Sequence, residues 1–118
     1  MGLFSKQVPL NWIQLTTKDQ LEEALASSSE QPVLFFKHST RCSISTMALS
    51  RFESNWNKDA VCKIYFLDLI TYREISNLLA EKTRVVHQSP QVIVVANDQV
   101  IYTETHNGIR AQDILTLI

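Results

Sequence analysis

Cys42 offers the most chemistry in this chain, because a thiol in the right place becomes a nucleophile. It stands in the run Phe36-Lys37-His38-Ser39-Thr40-Arg41-Cys42-Ser43-Ile44-Ser45. The thiolate, not the thiol, attacks a disulfide, so such a cysteine needs surroundings that favour negative charge. Arg41 and Lys37, with His38 between them, are the nearby candidates. Ser45 lies three residues on, on the same side of a first helical turn, where its hydroxyl either donates to a Cys42 thiolate or caps exposed backbone groups. Cys62 is the other cysteine, and two are too few for a disulfide scaffold or for a zinc site of about four ligands. They suit a reducing compartment. The apolar run around Cys62 reads as core strand, against a resolving role that would require its sulfur to leave the core. His38, His87 and His106 are scattered without the spacing of metal ligands, so solvated turns are expected for them and no bound metal is expected.

Cys42 has to be held by a strand before it and a helix after it. Residues 33–36 form a continuous apolar run after Pro32, which reads as a strand covered on both faces. After the polar break, Ile44, Met47, Ala48 and Phe52 recur at helical spacing, so a helix begins near Cys42 and those four residues are expected inward. The unpaired N–H groups and macrodipole of that helix start favour an anion. Upstream, residues 12–15 read as a short strand, and Thr17 with Gln20 opens a helix as a capping box with Leu21, Ala24 and Leu25 on one face. Downstream, residues 61–69 read as a second apolar strand containing Cys62, and Thr71 with Glu74 makes another capping box for a helix carrying Ile75, Leu78 and Leu79 inward. Residues 91–96 and 100–105 flank an Asn97-Asp98 turn as a hairpin, and Ile109, Ile114, Leu117 and Ile118 belong to a closing helix. The order βαβαβαββα implies an α/β three-layer sandwich with a mixed central sheet and helices on both faces.

A chain of 118 residues, 45% hydrophobic and 19% charged, fits one domain over residues 1–118 with a single core. A net charge of -1 gives no long-range attraction for a polyanion, so no nucleic-acid partner is expected. Residues 1–6 lack the apolar run of a signal peptide, and no stretch approaches the ~20 apolar residues of a membrane span, so a cytoplasmic protein with no membrane partner is expected.

The active-site run resembles that of the YtxJ-like, bacillithiol-system monothiol bacilliredoxins of the thioredoxin superfamily, and Ser89-Pro90-Gln91 before the hairpin agrees with that family. The resemblance extends over nearly the whole chain. It implies a thioredoxin-like fold, a cis peptide bond at Pro90 beside the active cysteine, and removal of bacillithiol from protein mixed disulfides through Cys42. Ser45 then stands where dithiol relatives carry a second cysteine. No acidic residue lies in the strand before Cys42, where many dithiol relatives bury an aspartate, which is coherent with the absence of a second thiol to activate. The family usually has proline after the cysteine; this chain has Ser43, which leaves the helix start less constrained.

The implied site therefore has Cys42 and Ser45 as catalytic residues and Lys37, Arg41, Ser89 and Pro90 as substrate-binding residues. The implied partners are S-bacillithiolated proteins and a low-molecular-weight thiol, with bacillithiol as the exchanging thiol and no tightly bound cofactor. The alternatives are a non-catalytic thioredoxin-fold binding module and a general monothiol exchanger acting on another small thiol. A monothiol carrier of an iron-sulfur cluster is weaker, because Ser43 and Ile44 replace the small glycine-containing segment such carriers use.

Overall fold

The computed structural model describes residues 10–118; residues 1–6, read above for targeting signals, lie outside the described residues. Strand β1 is Ile13–Gln14, helix α1 Lys18–Ala26, strand β2 Val33–His38, helix α2 Ser43–Asn55 and strand β3 Lys63–Asp68. Helix α3 is Arg73–Thr83, strands β4 and β5 are Gln91–Ala96 and Gln99–Thr105, and helix α4 is Ala111–Leu115. This is the expected βαβαβαββα order.

The sheet runs β1-β3-β2-β4-β5. β2 pairs parallel with β3 and antiparallel with β4, and the hairpin partner β5 forms one edge. Because β2 is covered on both faces, its side chains alternate between two cores. Val33 and Phe35 pack with Leu21, Ala24, Ile75 and Leu79 of α1 and α3. Leu34 and Phe36 pack with Ala48 and Phe52 of α2 and Ile114 of α4. Trp12, Phe36, Phe52 and Trp56 make this second core largely aromatic, with ring centroids 5.0–5.9 Å apart from Trp12 through Phe52 to Trp56.

Local chemistry explains most of the turns. Thr17 Oγ1 accepts from the Gln20 amide at 3.1 Å, and the Gln20 side chain reaches back to the Thr16 amide at 2.8 Å, closing a capping box displaced by one residue. Asn97 and Asp98 both have positive φ, as a tight hairpin turn of right-handed twist requires. Ser28, buried beneath the hairpin, accepts from the Asp98 amide at 2.9 Å and donates to the Leu25 carbonyl at 2.7 Å.

Four expectations need correcting. α2 is rotated: Ser45, Ala48 and Phe52 face the core, while Ile44 is 51% and Met47 66% exposed. The Thr71–Glu74 capping box is absent, because the Asp68 carboxylate accepts from the Thr71 hydroxyl at 2.9 Å and from the Ile70 and Thr71 amides. β3 starts at Lys63, so Cys62 precedes the strand, and Val61 is exposed. The closing helix is also shorter than expected: Ile109 and Ile114 are buried, whereas Leu117 and Ile118 are exposed.

Candidate active site

The site is built where β2 ends and α2 begins. Parallel pairing sets His38 opposite Asp68 of β3. The antiparallel register that pairs Lys37 with Gln91 brings the next residue back, Pro90, alongside His38. His38, Asp68 and Pro90 therefore share one row at the end of the central strands, the end where open α/β sheets present their ligands. The Ser89–Pro90 peptide bond is cis, as the resemblance implied.

Cys42 is the N-cap of α2, with extended backbone (φ -115°, ψ 120°) and partial exposure. Its amide closes the preceding turn on the Ser39 carbonyl at 3.2 Å, and its own carbonyl accepts from the Thr46 amide at 3.1 Å. No acidic residue stands in the first turn of α2, so no carboxylate in that turn opposes the positive end of the helix dipole. Arg41 is exposed next to it.

Ser45 is fully buried one turn on. Its hydroxyl oxygen accepts from the Ser39 amide at 3.1 Å and lies 2.8 Å from His38 Nδ1. The serine thus fastens the turn that carries Cys42 onto the end of β2. It also explains the rotation of α2: the helix turns its small, hydrogen-bonded serine inward at the strand end and leaves Ile44 and Met47 outside.

His38 and His87 are not solvated turn residues. His38 is 6% exposed, packed 5.4 Å from the Phe66 ring. Burial pulls its pKa below the ordinary imidazole value, against the opposing pull of Asp68 and Glu53. His87 is half-buried, and its Nδ1 accepts a hydrogen bond from the Lys37 ammonium at 2.7 Å. Burial, then Lys37 and Arg73, hold it in the neutral form by lowering its pKa.

Lys37 lies beyond direct view of solvent. Alternation along β2 puts it on the α1 and α3 face, opposite the face covered by α2, and its side chain is fully buried. Burial and, secondarily, Arg73 bring its pKa down to about 8. Its cross-strand neighbour Gln91, also buried, donates to the Val86 carbonyl at 3.0 Å and accepts from the Gln88 amide at 3.4 Å. Lys37 and Gln91 together anchor residues 86–90, the loop that delivers Pro90. Period-two alternation past Phe35 was the sequence signal for Lys37; nothing in the sequence singled out Gln91's grip on the loop. In the same loop Ser89 Oγ is buried with no hydrogen-bond partner among the described residues.

Cys62 stands apart. It is half-buried before the first residue of β3, and burial pushes its thiol up to about 12. β3 is six residues long, so the opposite end of the sheet lies roughly 20 Å from the row of His38 and Asp68 at about 3.3 Å per residue. A disulfide needs Cα atoms within about 7 Å. Among the described residues, no group of three or more His, Cys, Asp or Glu side chains is placed to hold a metal ion, and no helix is long and apolar enough to cross a membrane.

The architecture is that of known proteins. One solved structure, described by its thioredoxin fold, superposes with a TM-score of 0.75 at 28% identity, covering 88% of this chain and 90% of that one. The chain is also similar to the thioredoxin of Malassezia sympodialis (TM-score 0.67, 17% identity, 96% of this chain and 93% of that one). The thioredoxin of Fasciola hepatica is similar in the same way (TM-score 0.70, 11% identity, 88% and 96%). Fold and comparisons define a thioredoxin-fold protein. Residues 13–114 match the family model described as Monothiol bacilliredoxin BrxC, and the chain belongs to that family.

Proposed function

We propose that the protein removes bacillithiol from protein mixed disulfides by thiol-disulfide exchange at Cys42. The observation that carries this reading is the position of Cys42: a partly exposed thiol capping a 13-residue helix at the ligand-facing end of the sheet, with a serine where a resolving cysteine would stand. The family membership supports bacillithiol as the small thiol.

In the exchange, the Cys42 thiolate attacks the bacillithiol sulfur of the mixed disulfide. The new bond joins Cys42 to bacillithiol, the old bond to the substrate protein breaks, and the substrate cysteine leaves as a thiolate that takes a proton from water. Cys62 is too distant to resolve the product, so a second, external thiol attacks the Cys42–bacillithiol disulfide and restores Cys42. Ser45 holds the turn that carries the reacting sulfur onto the end of β2. Arg41 meets the carboxylates of bacillithiol from solvent. Lys37 acts without contact, by fixing His87 and the loop before Pro90. Pro90 presents its edge to the extended chain flanking the modified cysteine, and the backbone at Ser89, before the cis bond, faces the incoming ligand. The reducing cytoplasm is the compartment in which such a cycle turns over.

The test compares rates of release of one reporter protein carrying either bacillithiol or glutathione on the same cysteine. Faster release from bacillithiol is expected. Equal rates would make the protein a general monothiol exchanger, and no release from either would leave only a binding module.

A further inference from the structure

The last rung of the β4–β5 hairpin reaches the exchange site. Gln91 pairs with Thr105, so the next rung sets Pro90 opposite His106, and the His106 amide donates to the Pro90 carbonyl at 3.1 Å. In an antiparallel rung of this kind the two residues exchange both N–H···O bonds. Proline has no N–H to return, so the ladder leaves the His106 carbonyl without its cross-strand donor. Two other groups supply one. The Ile109 amide closes the turn after β5 on that carbonyl at 3.3 Å, and the Arg51 guanidinium of α2 donates to it from Nη2 at 3.2 Å. His106 has a φ of 52°, in the left-handed region that an L residue keeps only where its surroundings hold it.

Arg51 belongs to the helix that Cys42 caps. It is half-buried, and among the described residues no carboxylate pairs with it. Ala48 and Phe52 on either side of it fix α2 on the second core. A continuous path therefore runs from the thiol along α2 to Arg51, and from there through His106 to Pro90. Lys37 and Gln91 tie the loop before Pro90 to the sheet; Arg51 ties its end to the helix. Taking Cys42 as the exchanging cysteine and Pro90 as the edge that receives the substrate chain, we propose that Arg51 is a positioning residue. By standing in for the donor that Pro90 lacks, it sets the gap between the thiol and the Pro90 edge. A protein substrate spans that gap, with its modified cysteine at Cys42 and its flanking chain along Pro90, whereas a small disulfide meets Cys42 alone. The guanidinium touches no reacting atom. Loosening the brace weakens binding of the protein substrate and leaves the chemistry at sulfur as it was.

Two variants test the brace. Arg51→Met keeps the aliphatic stem and removes every donor, and Arg51→Lys restores an N–H donor on a stem of similar length. Exchange is followed with a bacillithiolated protein and with a mixed disulfide of bacillithiol and a small aromatic thiol. For Arg51→Met we expect KM for the protein substrate to rise about fivefold or more with kcat within about twofold of the parent. The small disulfide and iodoacetamide should react with Cys42 at parent rates, and Arg51→Lys should recover most of the loss. Hydrogen exchange of the His106 amide gives a reading that needs no substrate. Its protection should fall about tenfold in Arg51→Met while the amides of β2 keep theirs. An unchanged KM for the protein substrate, an equal loss on both substrates, or a His106 amide as protected as in the parent would overturn the proposal. Lost His106 protection in Arg51→Met, with a parent that releases bacillithiol from neither substrate, would uphold the brace and reject the substrate assignment.

Discussion

Replacing Lys37 with methionine isolates the energetic cost of a buried ammonium. Lys37 is fully buried, its ammonium donates to the neutral imidazole of His87, and no carboxylate among the described residues offsets it. Its pKa falls from 10.5 to about 8 on folding. Between those values the unfolded chain holds a proton that the folded chain has released, so stability rises with pH across the window and is level below it. The full shift corresponds to about 3 kcal/mol, at about 1.4 kcal/mol per pH unit. Other groups titrate nearby with the opposite sign. Cys62, pushed up to about 12, and the raised Tyr65 and Tyr102 lose stability as pH rises, because the unfolded chain deprotonates first. Both proteins carry those groups, so they cancel in the difference. Urea denaturation of parent and Lys37→Met under reducing conditions should give a stability difference that is level from about pH 7, above the ordinary imidazole range of its neighbour His87, to about 8. By about pH 9.5 it should move in the parent's favour by about 2 kcal/mol. A difference that stays flat within about 0.5 kcal/mol over that range would refute a desolvated, uncompensated Lys37.

Other expectations follow from single contacts. With Cys62 pushed up to about 12, iodoacetamide at neutral pH should label Cys42 and leave Cys62 unlabelled in the folded protein, with both labelled in urea; peptide mapping reads the result. Asp68→Ala removes the acceptor of the Ile70 and Thr71 amides and the Thr71 hydroxyl, and should cost about 1–3 kcal/mol in denaturant unfolding. The double change Ile44→Ser, Met47→Ser should leave stability within about 0.5 kcal/mol, because both side chains face solvent; a loss above about 2 kcal/mol would mean that α2 sits in the rotation its apolar spacing first suggested.

That last contrast shows where the sequence was legible. The strands announced themselves through β-branched and aromatic runs, and the order of elements with a cysteine at a strand-to-helix turn was enough to define the fold and the position of Cys42. The rotation of α2 was not readable, because apolar periodicity assumes that the inward positions are apolar. Here one of them is Ser45, made tolerable in the core by His38 and Ser39. His38 and Lys37 misled for a related reason. Each extends β2 beyond its apolar residues, so the strand buries them on opposite faces while their types suggest solvent. The Thr71–Glu74 box failed because Asp68, three residues before Thr71, took the threonine first. Polar groups that satisfy one another across the chain leave no periodic trace.

Single-turnover transfer followed by peptide mapping tests the central claim most directly. Reduced protein is mixed with an equimolar S-bacillithiolated protein, quenched with acid and digested. The account predicts one bacillithiol on the peptide carrying Cys42, none on that carrying Cys62, and one free cysteine regained by the substrate for each adduct formed. Transfer to Cys62, or release of the substrate thiol with Cys42 unmodified, would contradict it.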